Sequence, residues 1–429
     1  MKPHLVIKLK NPLNARLSYW EDILTNKLDV PTSVSHDIDR LMLQQYRLPF
    51  WLTANYRPQG NTWSKLERQS GFNRIYRLIL QRNTSIPPAL IDKLRLLPEV
   101  ESAYAGEVAA APIPPSQLAS ATNLTQPYRN NNIYLQEAHM FTKGHPDIKV
   151  AVLDTGFEVD HLELAQSMLP GKDFVDIIRG ETKFVGDFLG IDDDPKDEVG
   201  HGTHVAGIIA GRGHKMPVGV VPNCKLIPVK VLGALQQGNR VVGAGLVDNI
   251  NNGIKWAVDR GADVINMSLG IRNQGGGLPH EEVIRYALDK GVTVVAASGN
   301  DGTQDKYYPG ALPGVIAVGA ADDRGGTAPF STYGGHVSLL APGVNIYSAY
   351  LHQGYAMSSG TSQAAPFVSG AVALLKSFAR DRGKKLYDHQ IKFLLKHTSD
   401  KISTQFKDPK AGFGRINLLD ALKYMQYKV

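Results

Sequence analysis

Five short runs of Val, Ile, Leu and Ala recur through this 429-residue chain: KVAVLDTG from Lys149, KLIPVKVLG from Lys225, DVINMSLG from Asp263, VTVVAASGN from Val292 and GVIAVGA from Gly314. Their apolar positions are nearly continuous rather than alternating, so each strand must be buried on both faces. The segments 203–210, 246–260 and 281–290 between them carry helical spacing, the last closed by Gly291 as a C-cap. Strands that need cover above and below, joined by helices, predict a three-layer, doubly wound parallel α/β sheet. In such sheets the working groups stand beyond the carboxyl ends of the strands.

At 429 residues the chain exceeds one ordinary domain, so more than one unit is expected. Residues 1–108 read as a small α+β domain. Strand candidates lie at 4–9, 75–81 (IYRLILQ) and in VESAYAGEV, with helix candidates at 20–26 and from Ser85, where prolines fall in the first turn. Residues 30–70 show no clear period. Residues 109–123, AAAPIPPSQLASATN, form an Ala/Pro/Ser-rich extended linker. The strand–helix alternation then occupies 124–429.

Composition removes several classes of function. No apolar run approaches the roughly 18 residues of a membrane span, and no apolar leader follows the basic start MKPHLVIKLK. Cys224 is the only cysteine and excludes an internal disulfide framework. No membrane partner and a cytoplasmic location are the expectations. Lys and Arg outnumber Asp and Glu 15 to 10 over 1–120 and 13 to 5 over 371–429, but are outnumbered 19 to 25 between. They are dispersed, with no nucleic-acid-binding pattern, so no nucleic-acid partner is expected.

Four side chains carry the chemistry. In SSGTSQAAPFVSGAVALLKSFAR, a Gly-Thr-Ser turn runs into an apolar helix, placing Ser362 in its first turn beside free N–H groups. Pro366 is read as a first-turn proline. Asp154 leaves the strand 149–153 at a Thr-Gly turn, His201 lies in GHGTHVAG, where Gly200 and Gly202 permit close backbone approach, and Asn300 ends VTVVAASGN. Each has a plain structural alternative: a helix cap for Ser362, a turn residue for Asp154 or Asn300, a metal ligand or turn residue for His201. Taken together they offer a nucleophile, a base, an orienting acid and an oxyanion donor at one sheet edge.

VAVLDTG, GHGTHVAG and SGTSQAAP, in that order, resemble the aspartate, histidine and serine motifs of the subtilisin-like serine proteases. VKVLG, INMSLG, AASGN, YPG, VIAVGA and GFGRIN extend the resemblance over about 124–429. It implies a serine endopeptidase acting on polypeptide substrates, with Asp154, His201 and Ser362 as catalytic triad, Asn300 in the oxyanion hole and no cofactor needed for chemistry. The alternative is a catalytically silent subtilase-fold scaffold or peptide-binding protein. Ser268, Leu269 and Gly270 would line the substrate and its primary pocket, Ser298 and Gly299 would form another wall, and the strand around 241–245 would form the opposite edge. Tyr307 falls where many relatives keep a small residue, implying a pocket for small or medium side chains; a ring swung outward is the alternative. The layout of 1–108 is similar to a subtilase propeptide, which implies an intramolecular inhibitor or chaperone with autoprocessing in the linker; an ordinary accessory domain is the other reading. Asp192, Asp193, Asp194 and Asp197, in DDDPKDEVGHGTH, stand where some relatives bind calcium. Asp192, Asp194 and Asp197 are therefore candidate ligands of a structural calcium, and a solvated acidic turn is the alternative.

Overall fold

The computed structural model describes residues 3–20, 30–111, 116–118, 133–176, 183–238, 240–273 and 278–428. The helix expected at 20–26 lies almost wholly outside them. Near the N-terminus, β1 (His4–Leu9), β2 (Phe50–Ala54), β3 (Ile75–Leu80) and β4 (Val100–Ala105) form an antiparallel sheet in the order β2-β3-β1-β4. The helix Pro88–Arg95 covers one face, burying Leu90 and Leu94 against Leu5, Ile7 and Leu78. It begins three residues after Ser85 because a residue before proline is driven to extended backbone, and Pro87 has ψ 130°.

The alternation in IYRLILQ suggests one wet face, yet every residue of β3 is buried, Arg77 included. The second face meets the rest of the molecule: Val6, Tyr56, Phe72 and Ile75 share a core with Ile250, Ile254, Val283 and Tyr286.

The large sheet contains β7 (Lys149–Asp154), β8 (Lys172–Asp173), β10 (Lys225–Lys230), β13 (Val264–Met267), β15 (Thr293–Ala297), β17 (Ile316–Ala321) and β18 (Val337–Pro342). Its order is β18-β17-β15-β13-β7-β10-β8 and every pairing is parallel. Alternate residues of one strand enter opposite layers, as the continuous apolar runs require. Val150 and Val152 pack beneath the helices His201–Ala210 and Thr361–Arg380. Ala151 and Leu153 pack toward Val247–Asp259 and Glu281–Asp289. At about 1.5–3 kcal/mol for each large aliphatic side chain removed from water, these two layers supply the main drive to fold.

Smaller sheets fringe the carboxyl edge. β5 (Val108–Ala111), β9 (Phe184–Val185), β11 (Gly233–Gln237) and β12 (Arg240–Leu246) form one, ordered β5-β12-β11-β9. β14 (Ile271–Arg272) pairs with β16 (Tyr307–Tyr308). β19 (Ile346–Tyr350), β20 (Gly354–Ser358) and β6 (Ser116–Leu118) form a third. The expected linker is thus strand at 109–111 and 116–118, added to the edges of the large unit, while 112–115 and 119–123 lie outside the described residues.

Candidate active site

Asp154 ends β7 and His201 opens the helix His201–Ala210. His201 Nδ1 lies 2.7 Å from Asp154 Oδ1, and both side chains are buried. The same oxygen accepts the Thr155 N–H at 2.8 Å, as a carboxylate should. With Nδ1–H donated to Asp154, Nε2 keeps its lone pair; it has no hydrogen-bond partner among the described residues. Burial pulls the His201 pKa down, but the charge and hydrogen bond of Asp154, with the charge of Asp197, outweigh it and leave it raised.

Strand and helix meet closely because two positions are glycine. Gly200 has φ +92°, and a Cβ on Gly202 would stand 2.1 Å from the Gly156 carbonyl oxygen. Asp197 ties the two elements together. Its Oδ1 accepts from Thr155 Oγ1 (2.9 Å), Val199 N–H (3.0 Å) and Gly200 N–H (2.8 Å), and its Oδ2 from Thr203 N–H (3.1 Å) and Oγ1 (2.7 Å). Burial raises its pKa and outweighs the hydrogen bonds from Gly200, Thr203 and Val199, which favour the ionised form. One carboxylate therefore caps the histidine helix and holds the residue next to Asp154.

Ser362 is the second residue of the helix Thr361–Arg380, where an N–H has no intrahelical acceptor. Its Oγ donates to the Ser268 carbonyl at 3.0 Å rather than to His201. Pro366 is the sixth residue of this helix, beyond the first turn where the sequence places it. Its missing N–H would have served the Ser362 carbonyl four residues back. Ser268 Oγ fills that vacancy at 2.7 Å, itself held by Asn266 Nδ2 at 3.0 Å, while Asn266 Oδ1 accepts from Ser369 Oγ at 2.8 Å. Asn300 Oδ1 accepts the Thr361 N–H (2.8 Å) and Oγ1–H (3.0 Å), which settles the orientation of its amide. Its NH₂ group is left available at the mouth of a cavity that Asn300 shares with Ser362.

Residues 145–414 match the family model described as the subtilase family. The chain belongs to the subtilase family. Among its relatives, the thermophilic serine proteinase of Bacillus sp. (strain AK1) is 38% identical over 302 residues, 69% of this chain and 67% of that protein. The major intracellular serine protease of Bacillus subtilis (strain 168) is 39% identical over 255 residues, 58% of this chain and 74% of that one. A solved protease structure from Pseudoalteromonas arctica PAMC 21717 superposes with TM-score 0.59 at 30% identity, over 69% of this chain and 95% of that one. The chain is therefore a subtilisin-like serine peptidase with the subtilase α/β fold, a family that needs no cofactor for catalysis.

The subtilase substrate cleft is brought together only in part from the expected residues. Leu269, Gly270, Gly299 and Tyr307 line the cavity beside Ser362. Ser298 does not: it is fully buried and donates to the Thr332 carbonyl at 3.0 Å. Ser268 serves the nucleophile's helix, as above. Carboxylates of the acidic loop named as candidate calcium ligands make other contacts here. Asp197 commits both oxygens to the helix cap, Asp192 Oδ1 accepts the Asp194 N–H at 2.8 Å, and Asp193 pairs with Lys172 at 3.1 Å. No group of three or more potential metal ligands occurs among the described residues. His204 is structural: its Nε2 lies 3.0 and 3.1 Å from the carbonyls of Ile346 and Ala356, and burial, then His201, hold its pKa down at about 4.

Asn266, Ser369, Thr361 and Thr155 were not anticipated. Their signal was present only as polar residues inside apolar runs, where an unpaired side chain would be costly.

Proposed function

We propose that the chain is a serine endopeptidase working through Asp154, His201 and Ser362. In this mechanism the Ser362 hydroxyl leaves the Ser268 carbonyl and turns to His201 Nε2. Oγ then attacks the scissile carbonyl carbon as its proton passes to Nε2. The oxyanion is stabilised by the Asn300 NH₂ and the Ser362 N–H. Collapse expels the amine, protonated by the imidazolium, and leaves an acyl-serine; water, deprotonated by the same imidazole, releases the acid and restores Ser362. The buried 2.7 Å His201–Asp154 pair with Nε2 unengaged is the observation that carries this reading. A silent scaffold draws its support from the Ser362 hydroxyl being turned to Ser268. A fluorophosphonate probe applied after limited proteolysis of the N-terminal unit separates the two: labelling of the wild type and not of Ser362→Ala is expected, and an unlabelled wild type removes the peptidase reading.

The N-terminal unit, on this reading, is an intramolecular inhibitor whose tail enters the substrate cleft. Support comes from β5, antiparallel to β12 with Ala109 opposite Gly245 and Ala111 opposite Gly243, and from β6, with Ser116 opposite Ser358, four residues before the nucleophile. Chain segments added to both edges in this way mimic an extended substrate. Autoprocessing within 109–123 predicts that wild type, but not Ser362→Ala, loses intact mass on storage. Equal full-length masses for both would mark a permanently attached domain.

A further inference from the structure

The cavity beside Ser362 has a free volume of only about 20 Å³, roughly that of one water molecule. Tyr307 is what fills it. The ring is 6% exposed, and it packs so closely that a Cβ on Gly299 would stand 2.5 Å from Tyr307 Cδ2 and one on Gly270 3.0 Å from Tyr307 Cβ. The ring is also tethered. Its hydroxyl donates to the Asp301 carboxylate and lies 3.0 Å from Arg272 Nε, while Arg272 Nη2 reaches Asp301 at 2.5 Å and Asp305 at 2.8 Å. Arg272 further lies over the Tyr307 ring, 5.4 Å from its centroid. A phenol anchored at its far end by a charged cluster cannot swing aside without giving up these hydrogen bonds.

We infer that Tyr307, held by Arg272 and Asp301, closes the pocket for the residue preceding the scissile bond and restricts this peptidase to substrates with Gly, Ala or Ser there. The inference rests on the peptidase reading and names its substrate class. A methyl or hydroxymethyl group fits the remaining space. A phenyl or isobutyl group needs the volume the Tyr307 ring already occupies, and overpacking of a close-packed wall is unfavourable. Part of the restriction is set by Arg272 through its hydrogen bond to the Tyr307 hydroxyl and its place over the ring, and because its side chain is 57% exposed that part is the smaller one.

The test compares kcat/KM of the full-length chain on two quenched peptides that differ only in Ala or Phe before the cut. Inhibition by the N-terminal unit scales both rates equally, so their ratio is unaffected by it. Wild type is expected to favour Ala at least ~10-fold, within the range in which a hydrophobic pocket discriminates by size. Tyr307→Gly and Tyr307→Ala should reverse the preference, and Arg272→Ala should lower the Ala-to-Phe ratio several-fold. Fluorophosphonate labelling of each variant at Ser362 establishes that its active centre is folded. A wild type that cleaves after Phe as well as after Ala, or labelled Tyr307 variants with an unchanged ratio, would overturn the inference while leaving the peptidase intact. Failure of wild type and variants to label or cleave would instead remove the peptidase reading and this inference with it.

Discussion

Asp197 is the residue whose meaning changed most between sequence and structure. In DDDPKDEVGHGTH it is one carboxylate among several. Folded, it accepts five hydrogen bonds that join Thr155 to the first turn of the histidine helix. On the proposed mechanism it would act through His201, by position and by charge, as a positioning residue. The charge has a readout that a purely structural role would lack. On the proposed mechanism His201 must be neutral, and its pKa is raised, so kcat/KM should fall as pH drops through a value higher than that of an unperturbed imidazole. Asp197→Asn removes one of the charges raising that pKa, so the acid limb of the profile should move to lower pH. An acid limb unmoved in a folded Asp197→Asn protein would confine Asp197 to capping.

At the scale of elements, the serine helix shows how one irregularity calls in a partner from elsewhere. Pro366 leaves the Ser362 carbonyl without its helical donor, and Ser268, at the end of the β13 run, supplies the replacement. Ser268→Ala would leave that carbonyl unsatisfied in a buried setting, and a loss of about 1–3 kcal/mol is expected, read from urea denaturation at unchanged m. A loss below about 0.5 kcal/mol would mean that another donor takes its place. Both ends of the interaction were legible as motifs. Their bond was not, because 94 residues separate them and helical periodicity carries no information about a neighbour in another layer.

At the scale of the molecule, the N-terminal sheet is bound through a seam of buried charge and aromatic contact. Lys255 Nζ, on the helix Val247–Asp259, lies 2.8 Å from Glu67 Oε1, and both side chains are almost wholly buried. Lys8 meets Glu282 at 2.5 Å, His4 meets Asp248 at 3.1 Å, and the Phe72 ring stands edge-on to Tyr286 at 5.1 Å. Burial pushes Glu67 up, but hydrogen bonds from Lys255 and Ser64 outweigh it and hold its pKa at about 2. A depressed carboxylate stabilises fully above its unfolded pKa and loses that contribution progressively as pH falls from there to the folded value, here about 2, below which it is gone. Mild acid should therefore leave this pair intact. Removing the cation is a harsher change: Lys255→Ala strands a buried carboxylate at a cost of about 3–5 kcal/mol. Full-length Lys255→Ala is expected to cleave peptides faster than wild type and to expose residues 1–108 to limited proteolysis. An unaltered rate would show that the seam does not govern access to the cleft.

The sequence by itself determined the parallel sheet, the order of the Asp154, His201 and Ser362 motifs and the place of glycine at 200 and 202. These follow from contiguous chemistry: continuous apolar runs demand two-sided burial, and glycines flanking a histidine leave room where a Cβ on Gly202 would stand 2.1 Å from the Gly156 carbonyl oxygen. Tertiary structure decided what each polar group does once those elements meet. The two-sided burial of β3 was hidden because its second cover comes from helices well over a hundred residues away. A bulky residue at position 307 was visible in the sequence, but its tether to Arg272 and Asp301 was not. Burial period is written into neighbouring residues, whereas hydrogen-bond partners and pocket volumes are set by which distant surfaces the fold brings together.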